Sequence, residues 1–285
     1  MLIRFIRRHG RIVISLTLAL IAWIGFAMLV QPSHDRHWEF GQEVLPRLSI
    51  EGDRLRIDNF RNFHWTGETD ADVRYESRTY DLRTLVSLDV FISHFDDFEG
   101  LAHIFLSFGF ADGEQVVVSL ESRREVGEEF SPIQGLFRRY EMIYVVGSES
   151  DIVGVRTGYR GERVYRYPTI ARSFEVRALL ESLANDINEL ADEPRFYNTL
   201  THNCTNELTR HVERIAPVDF PFTWKVLLPG YFDEVLYRMG LIPSAGTFEE
   251  TKAIYRVDNP SVNAESETYS RDLRLLREAV PETVN

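Results

Sequence analysis

The sequence of 285 residues contains a single cysteine, Cys204. A lone cysteine excludes an intrachain disulfide and every zinc or iron–sulfur site that is built from several thiolates. Basic charge is also scarce, because 32 Lys and Arg stand against 44 Asp and Glu, for a formal net charge of −12. A general nucleic-acid binder needs a basic surface for the phosphates, so this charge balance argues against nucleic acid as a partner.

Three catalytic signatures are missing as well: the HExxH zinc motif, the GxSxG nucleophile elbow and the GxxxxGK[ST] phosphate loop. No group of His, Cys, Asp and Glu has the spacing of metal ligands, so we expect neither a metal nor a cofactor. The 44% hydrophobic and 27% charged residues are typical of a globular protein that is long enough to bury a core.

An uncharged apolar run extends from Ile12 to Val30, with the sequence IVISLTLALIAWIGFAMLV. As a helix it would be about 28 Å long, close to the thickness of a hydrocarbon core. Arginines at positions 4, 7, 8 and 11 precede it, so the positive-inside rule places the N-terminus in the cytoplasm and the rest outside. The run is longer than a signal-peptide core and no clean cleavage site follows. We therefore predict an uncleaved transmembrane anchor over a cleaved signal peptide.

The remaining pattern predicts strands first and helices afterwards. Strands are predicted at 54–59, 75–82, 85–94, 101–110, 115–122, 141–146 and 162–167, and helices at 173–191, from 203 or 204 to 215, and at 231–239. This order indicates an α+β domain, not alternating βαβ units. The predicted organisation is a cytoplasmic stub (1–11), the anchor (12–30), a connector (31–49), a catalytic domain (50–243) and a polar C-terminal tail (244–285).

Cys204 is the candidate nucleophile, because it lies at the first turn of a predicted helix. Free N–H groups and the helix dipole stabilise a thiolate there, and the same N–H groups could hold an oxyanion. Asn203 and His202 flank the thiol as supporting residues, although the His202 side chain is expected to point away. The alternative is a buried structural cysteine, which is common for a free thiol.

A cysteine nucleophile needs a base, and His103 is the candidate because a strand interior would hold its imidazole rigidly. The alternative is a hydrogen-bonded core histidine. If Asp112-Gly113 forms a two-residue turn, His103 faces Ser122, whereas a one-residue bulge brings Glu121 across instead. We rank Glu121 first and Ser122 second as the group that orients the imidazole.

Four segments resemble the periplasmic domain of Lnb-type lipoprotein N-acyltransferases: RNFHW at 61–65, LAHIFLSFGF at 101–110, SLESRREVGE at 119–128 and FYNTLTHNCTNEL at 196–208. The resemblance covers residues 58–211. The Asn-Cys helix start is also similar to that of lecithin–retinol acyltransferase-like proteins, which are circularly permuted relatives of papain-like peptidases. It implies an antiparallel sheet packed on a helix that carries the cysteine at its N-terminus, with the histidine preceding the cysteine in the chain.

The resemblance further implies a Cys–His site in which Cys204 attacks an acyl ester and His103 is the base. The expected function is a periplasmic cysteine acyltransferase or lipid acyl hydrolase that forms a thioester, with a role in lipoprotein N-acylation. The expected partners are the membrane and a phospholipid or lipoprotein substrate, at the bacterial inner membrane. Two alternatives stay open: a cell-wall amidase or peptidase with the same dyad, and a membrane-anchored scaffold without enzymatic activity.

Overall fold

The computed structural model describes residues 10, 12–18, 21, 25, 30–258 and 262–276. Its strands are β1 (Arg47–Glu51), β2 (Arg54–Arg61), β3 (His64–Trp65), β4 (Ala71–Asp72), β5 (Tyr75–Asp81), β6 (Leu85–His94), β7 (Ala102–Phe110), β8 (Gln115–Arg123), β9 (Glu141–Gly147) and β10 (Arg163–Pro168). Its α-helices are α1 (Glu149–Ile152), α2 (Gly154–Thr157), α3 (Ser173–Asp192), α4 (Cys204–Ile215), α5 (Trp224–Leu227), α6 (Phe232–Arg238), α7 (Phe248–Ile254) and α8 (Tyr269–Leu275). Short 3₁₀ turns cover Leu82–Thr84, Gln134–Phe137 and Pro229–Tyr231.

Eight of the strands form one sheet in the order β1-β2-β9-β8-β7-β6-β10, with β5 pairing to β2. The neighbours pair antiparallel, except that β2 meets β9 in parallel at Arg61 and Gly147. β3 and β4 form a separate two-stranded ribbon. An antiparallel-rich sheet followed by helices confirms the predicted α+β class.

The sheet is covered on both faces, and the two coverings differ. Alternate residues of each strand point to opposite faces. On the first face, Ile92, Ile104 and Leu106 pack against α3 and α4 in the main core, and we call this the α3–α4 face. On the other, Phe91 and Phe105 pack against α1 and α8, and we call this the α8 face.

The helix α3 follows from its sequence pattern. Apolar residues at helical spacing bury one side against the sheet: Val176, Leu179, Leu180, Leu183, Ile187 and Leu190. A capping box starts the helix, since the Glu175 side chain accepts from the backbone N–H of Arg172. The predicted helix at 173–191 is therefore confirmed.

The predicted polar tail contributes to the folded core. Tyr269 and Leu273 of α8 are buried on the α8 face. Arg274 contacts Asp89 and Glu149, each at 2.8 Å. The pattern of α8 is short, because the helix has only seven residues and Tyr269 and Leu273, four positions apart, are its buried ones.

Of the predicted anchor from Ile12 to Val30, residues 19, 20, 22–24 and 26–29 lie outside the described residues. Within the described part of the chain, no helix is long and apolar enough to cross a membrane. The connector that follows is partly integrated into the domain, because Trp38 is buried and pairs with Glu125.

Of the two turns that the sequence leaves open, the β7–β8 hairpin has the one that brings Glu121, the first-ranked residue, across from His103. Phe110 accepts from the N–H of Gly113, and its own N–H bonds to Glu114, so the loop holds three residues, not two. Gly113 adopts φ 94°, a conformation that favours glycine. The added residue moves the register by one position, so that Phe105 faces Ser119. Extending this register places His103 opposite Glu121.

Candidate functional site

Cys204 is the first residue of α4, and two asparagines explain why the helix begins there. The Asn203 side chain accepts from the N–H of Asn206 at 2.8 Å and donates to the carbonyl of Thr199 at 2.7 Å. The Asn198 side chain accepts from the N–H groups of Leu200 and Thr201 in the preceding turn. The predicted helix start is confirmed, and Asn203 serves as its N-cap.

The Cys204 thiol lies on the α3–α4 face and is only 7% exposed. Burial raises the pKa of this thiol, while the backbone N–H groups of Ile104 and Thr205 and the Thr205 hydroxyl oppose the rise by stabilising the thiolate. The site therefore holds a neutral thiol among donors that would stabilise a negative charge on sulfur.

His103 lies on the opposite face of the sheet from Cys204. Its ring stacks on Phe105, which belongs to the α8 face, whereas its neighbour Ile104 packs in the core that contains Cys204. Because side chains alternate along a strand, no rotamer of His103 brings its ring through the sheet to the thiol. The predicted Cys204–His103 pair therefore does not form in the structure.

His103 instead forms a relay with Ser119 and Glu121. Its Nε2 is 2.7 Å from the Ser119 hydroxyl, which donates to Glu121 at 3.0 Å, and Nε2 to Glu121 is 3.8 Å. Arg156 donates to the same carboxylate at 3.1 Å. Since the hydroxyl proton goes to Glu121, we assign the His103 proton to Nε2, which leaves Nδ1 unprotonated.

The charges of this relay follow from its surroundings. Burial lowers the pKa of His103 to about 4, with Glu121 opposing and Arg156 adding to the effect. Burial acts to raise the pKa of Glu121, but the guanidinium groups of Arg156, Arg61 and Arg160 hold it well below its usual range. The relay therefore pairs a neutral imidazole with a charged carboxylate.

The prediction that Glu121 accompanies His103 agrees with this geometry, whereas Ser122 points away from His103. Ser122 lies opposite Met142, which belongs to the core of the α3–α4 face. Sequence reasoning misses Ser119 and Arg156. Ser119 could have been found, because it stands two positions before Glu121 and therefore shares its face.

The family model described as the Lnb N-terminal periplasmic domain matches residues 71–230. The chain belongs to this family. No curated protein and no solved structure matches the sequence. The resemblance to the Lnb periplasmic domain is thus confirmed, and the match includes three of its four segments, those at 101–110, 119–128 and 196–208. The permuted papain-like relationship of this Lnb domain stays a prediction.

Two cavities adjoin on the α3–α4 face of this Lnb domain. A small one reaches Cys204 and is lined mainly by apolar side chains, with Glu207 as its carboxylate. A second one of about 430 Å³ lies between the sheet, α3 and α4, and its lining is almost entirely apolar. Leu106 and Leu208 line both, so they stand between the thiol and the larger cavity.

The apolar segment after α4 contributes less to this cavity than its composition indicates. The sequence offers two roles, the wall of an acyl groove or ordinary core packing, for the apolar residues of this segment: Phe220, Phe222, Trp224, Leu227 and Leu228. Of these, Phe220 lines the cavity. Phe222 and Trp224 are instead 99% and 57% exposed.

His202 and His94 are the histidines of interest on the Cys204 side. His202 is 2.8 Å from Glu207 through Nδ1, and its side chain is 48% exposed, so it points outward as expected. His94 lies opposite Ala102 on the α3–α4 face, and neither of its ring nitrogens has a hydrogen-bond partner among the described residues. Sequence reasoning passes over His94, because it stands at the very end of β6 and resembles a loop residue.

The described residues contain no group of three or more His, Cys, Asp or Glu that could hold a metal ion.

Proposed function

We propose that this Lnb domain is a thiol acyltransferase or lipid acyl hydrolase, with Cys204 as its nucleophile. The observation that carries the proposal is the position of Cys204 at the N-terminus of α4, beside an apolar cavity of about 430 Å³ that shares Leu106 and Leu208 with its own small cavity. Such a cavity suits a hydrocarbon chain, whose ester carbonyl would then lie at the helix N-terminus.

The proposed reaction has two steps. The sulfur attacks the ester carbonyl carbon, an S–C bond forms, the C–O bond breaks, and the leaving alcohol takes up the proton that the thiol gave up. An amine then attacks the thioester carbon, an N–C bond forms, the S–C bond breaks, and a proton returns to the sulfur. Water in place of the amine gives hydrolysis with the same balance.

Glu207 is our candidate for the proton acceptor of the thiol. It lines the same cavity as Cys204, three positions along α4, and it is 6% exposed. One carboxylate oxygen accepts from Arg210 at 2.6 Å and is 2.8 Å from His202 Nδ1, and His202 reaches solvent and could pass the proton on. This assignment replaces His103, whose ring lies across the sheet.

The Lnb family supports a lipid substrate over a cell-wall peptide. The resemblance to lipoprotein N-acyltransferases implies a phospholipid donor and the N-terminal amine of a lipoprotein as acceptor, and we propose an inner-membrane anchor through residues 12–30. A cell-wall amidase would need an open polar cleft at the thiol, whereas the lining around Cys204 is mainly apolar.

The His103 relay favours a second candidate function, general-base hydrolysis on the α8 face. The His103 imidazole is neutral, its Nε2 is held by Ser119, and no described residue hydrogen-bonds Nδ1. With a side chain 15% exposed, Nδ1 could take a proton from an attacking water. Cys204 would then be a structural residue.

Three variants of the full chain test these functions: Cys204→Ala, Glu207→Gln and His103→Gln. Each is incubated with a long-chain p-nitrophenyl ester, and turnover and the intact mass are measured. The proposal expects an acyl adduct that Cys204→Ala removes, and about a 100-fold loss of turnover in Glu207→Gln. Turnover that survives Cys204→Ala but not His103→Gln would support the second candidate. An inactive wild type would support the scaffold.

A further inference from the structure

The loops around Cys204 all lie at one end of the sheet. β6 ends and β7 begins there, with His94 opposite Ala102, and β8 ends and β9 begins there, with Arg123 opposite Glu141. The two connecting loops, 95–101 and 124–140, therefore extend from the same edge. The turn before α4 joins them, because the N–H of Thr199 bonds to the carbonyl of Gly135 at 3.3 Å.

These loops expose large apolar side chains that the fold leaves uncovered. We call the set the apolar rim: Phe95 (42% exposed), Phe98 (53%), Ile133 (70%), Phe137 (51%), Leu200 (50%) and Trp224 (57%). Scattered apolar residues are normal on a surface, but a cluster of this size on adjoining loops marks an interaction site.

Contacts join the loops that carry the rim residues to one another and to the segment that leads to the thiol. Phe95 packs on Phe130 at 6.0 Å, and Phe130 packs on Tyr197 at 6.2 Å, in the strand-like segment that leads to Cys204. The N–H of Gly230 bonds to Gly100 at 3.3 Å and so joins the segment after Trp224 to the loop of Phe98. The rim therefore borders the N-terminus of α4.

The chain also enters the domain at this end. The N–H of Ser33 bonds to Glu141 at 3.3 Å, and the N–H of Val126 bonds to the carbonyl of His37 at 2.8 Å. The uncharged apolar run of the sequence ends at Val30, three residues before Ser33. A bilayer that held this run would thus lie against the same end of the sheet as the rim.

We propose that the apolar rim docks the domain onto a lipid bilayer and places the Cys204 end at the membrane surface. Trp and Phe are suited to the interface between headgroups and acyl chains, where their rings are partly buried. The inference rests on the proposed function for its substrate, an acyl ester that resides in that bilayer. The position of the rim follows from the loop geometry and does not depend on the proposed function.

Tryptophan quenching tests the docking in the full chain. Trp38 and Trp65 are 7% and 6% exposed, and the Trp23→Phe variant removes the indole of the apolar run, which leaves Trp224 as the exposed one. The protein is reconstituted into phosphatidylcholine vesicles with brominated or ordinary acyl chains. We expect brominated chains to quench part of the emission, and the added Trp224→Phe substitution to abolish that loss. Equal emission in both vesicles would overturn the proposal.

Aspartate substitutions inside the rim test the docking further, and an aspartate substitution outside the rim is their matched control. Phe98→Asp combined with Leu200→Asp should abolish the quenching of Trp224 and lower turnover of a vesicle-borne ester relative to a water-soluble short-chain ester by about 10-fold, or about 1.4 kcal/mol. Phe174→Asp, on a residue 62% exposed at the start of α3 and at the opposite end of the sheet, should change neither readout. An unchanged turnover ratio in the rim variant would contradict docking.

The two proposals fail separately in these measurements. If Trp224 is quenched but no ester is turned over, docking stands and the proposed thiol chemistry fails. If the soluble ester is turned over without quenching, the chemistry stands and docking fails.

Discussion

The two faces of the sheet surround their candidate site residues differently. On the α3–α4 face, the neutral thiol of Cys204 lies mainly among apolar side chains, with the carboxylate of Glu207 as a charged neighbour. The α8 face buries charges in pairs, such as Arg61 with Asp151 at 2.9 Å and Arg274 with Glu149 at 2.8 Å.

One strand serves both faces. On β7, His103 belongs to the polar relay and Ile104 to the apolar core. Two neighbouring positions can therefore serve unrelated chemistry. Adjacent residues of a strand lie on opposite faces of the sheet. Two residues that are neighbours in the sequence of a strand therefore do not belong to the same site.

Removing a buried charge partner should have the largest effect. Asp151 accepts from Arg61, from the Trp65 ring N–H at 2.8 Å and from the backbone N–H of Phe63 at 2.9 Å. We expect Asp151→Ala to lower the free energy of unfolding by about 3–5 kcal/mol, because Arg61 stays buried without its partner. Chemical denaturation measures this, with Asp58→Ala at an exposed ion pair as the control. Similar losses in both variants would contradict the contrast between buried and surface pairs.

Acid should destabilise the folded protein through two buried histidines, His103 on the α8 face and His94 on the α3–α4 face. Burial lowers the pKa of His103 and of His94 to about 4, from an ordinary value of 6.5. The fold favours the neutral rings, so their stabilisation is complete above pH about 6.5 and is lost as the pH falls toward 4.

Each ring accounts for up to about 3 kcal/mol of this pH dependence, on an order-of-magnitude basis. His103→Gln and His94→Gln should each flatten the curve of unfolding free energy against pH between 6.5 and 4. The measurement is urea denaturation at a series of pH values. A curve that keeps its slope in both variants would show that other groups control acid stability.

A smaller effect should come from narrowing the apolar cavity. Val212 lines it and is partly buried. Val212→Phe should lower turnover of a long-chain ester by about 10-fold, or about 1.4 kcal/mol, because the added ring fills space that the chain would occupy. Turnover of a short-chain ester should stay close to that of the wild type. Equal losses for both esters would indicate general misfolding or a different acyl site.

The smallest effect should be that of substituting His103 on the pH at which the Cys204 thiol reacts. Burial raises the pKa of Cys204, so alkylation by iodoacetamide should become fast only above the ordinary thiol pKa of about 8.5. His103→Gln should leave this pH profile unchanged, because the imidazole lies on the other face of the sheet. A profile that shifts to higher pH in the variant would restore the Cys204–His103 pair.

Much of the fold could be predicted from pattern alone. The apolar spacing from Val176 to Leu190 is sufficient for α3, and the Asn203–Cys204 start of α4 follows from capping preference. At the Asp112-Gly113 hairpin the pattern leaves two registers open, and the structure has a loop of three residues, which gives the register with Glu121 opposite His103. A register of this kind depends on local turn geometry, and a slip of one residue changes which side chains face each other.

The candidate site could be predicted only in part. The sequence singled out Cys204, His103 and Glu121, and the structure places His103 and Glu121 in one relay. It could not reveal that Ser119 connects them or that Arg156, from α2, neutralises the carboxylate. Arg156 has no local signal, because it reaches the relay from an element 35 positions away in the chain.

The sequence by itself determined the periodic elements, the family and the helix start that carries the thiol, since each of these depends on residues that are close along the chain. Only the tertiary structure decided which residues contact each functional side chain. The sheet separates Cys204 from His103, and the packing of α3 and α4 creates the apolar cavity beside the thiol. The physical reason is that a contact across a sheet or between layers depends on register and face, which arise only when distant segments pack together.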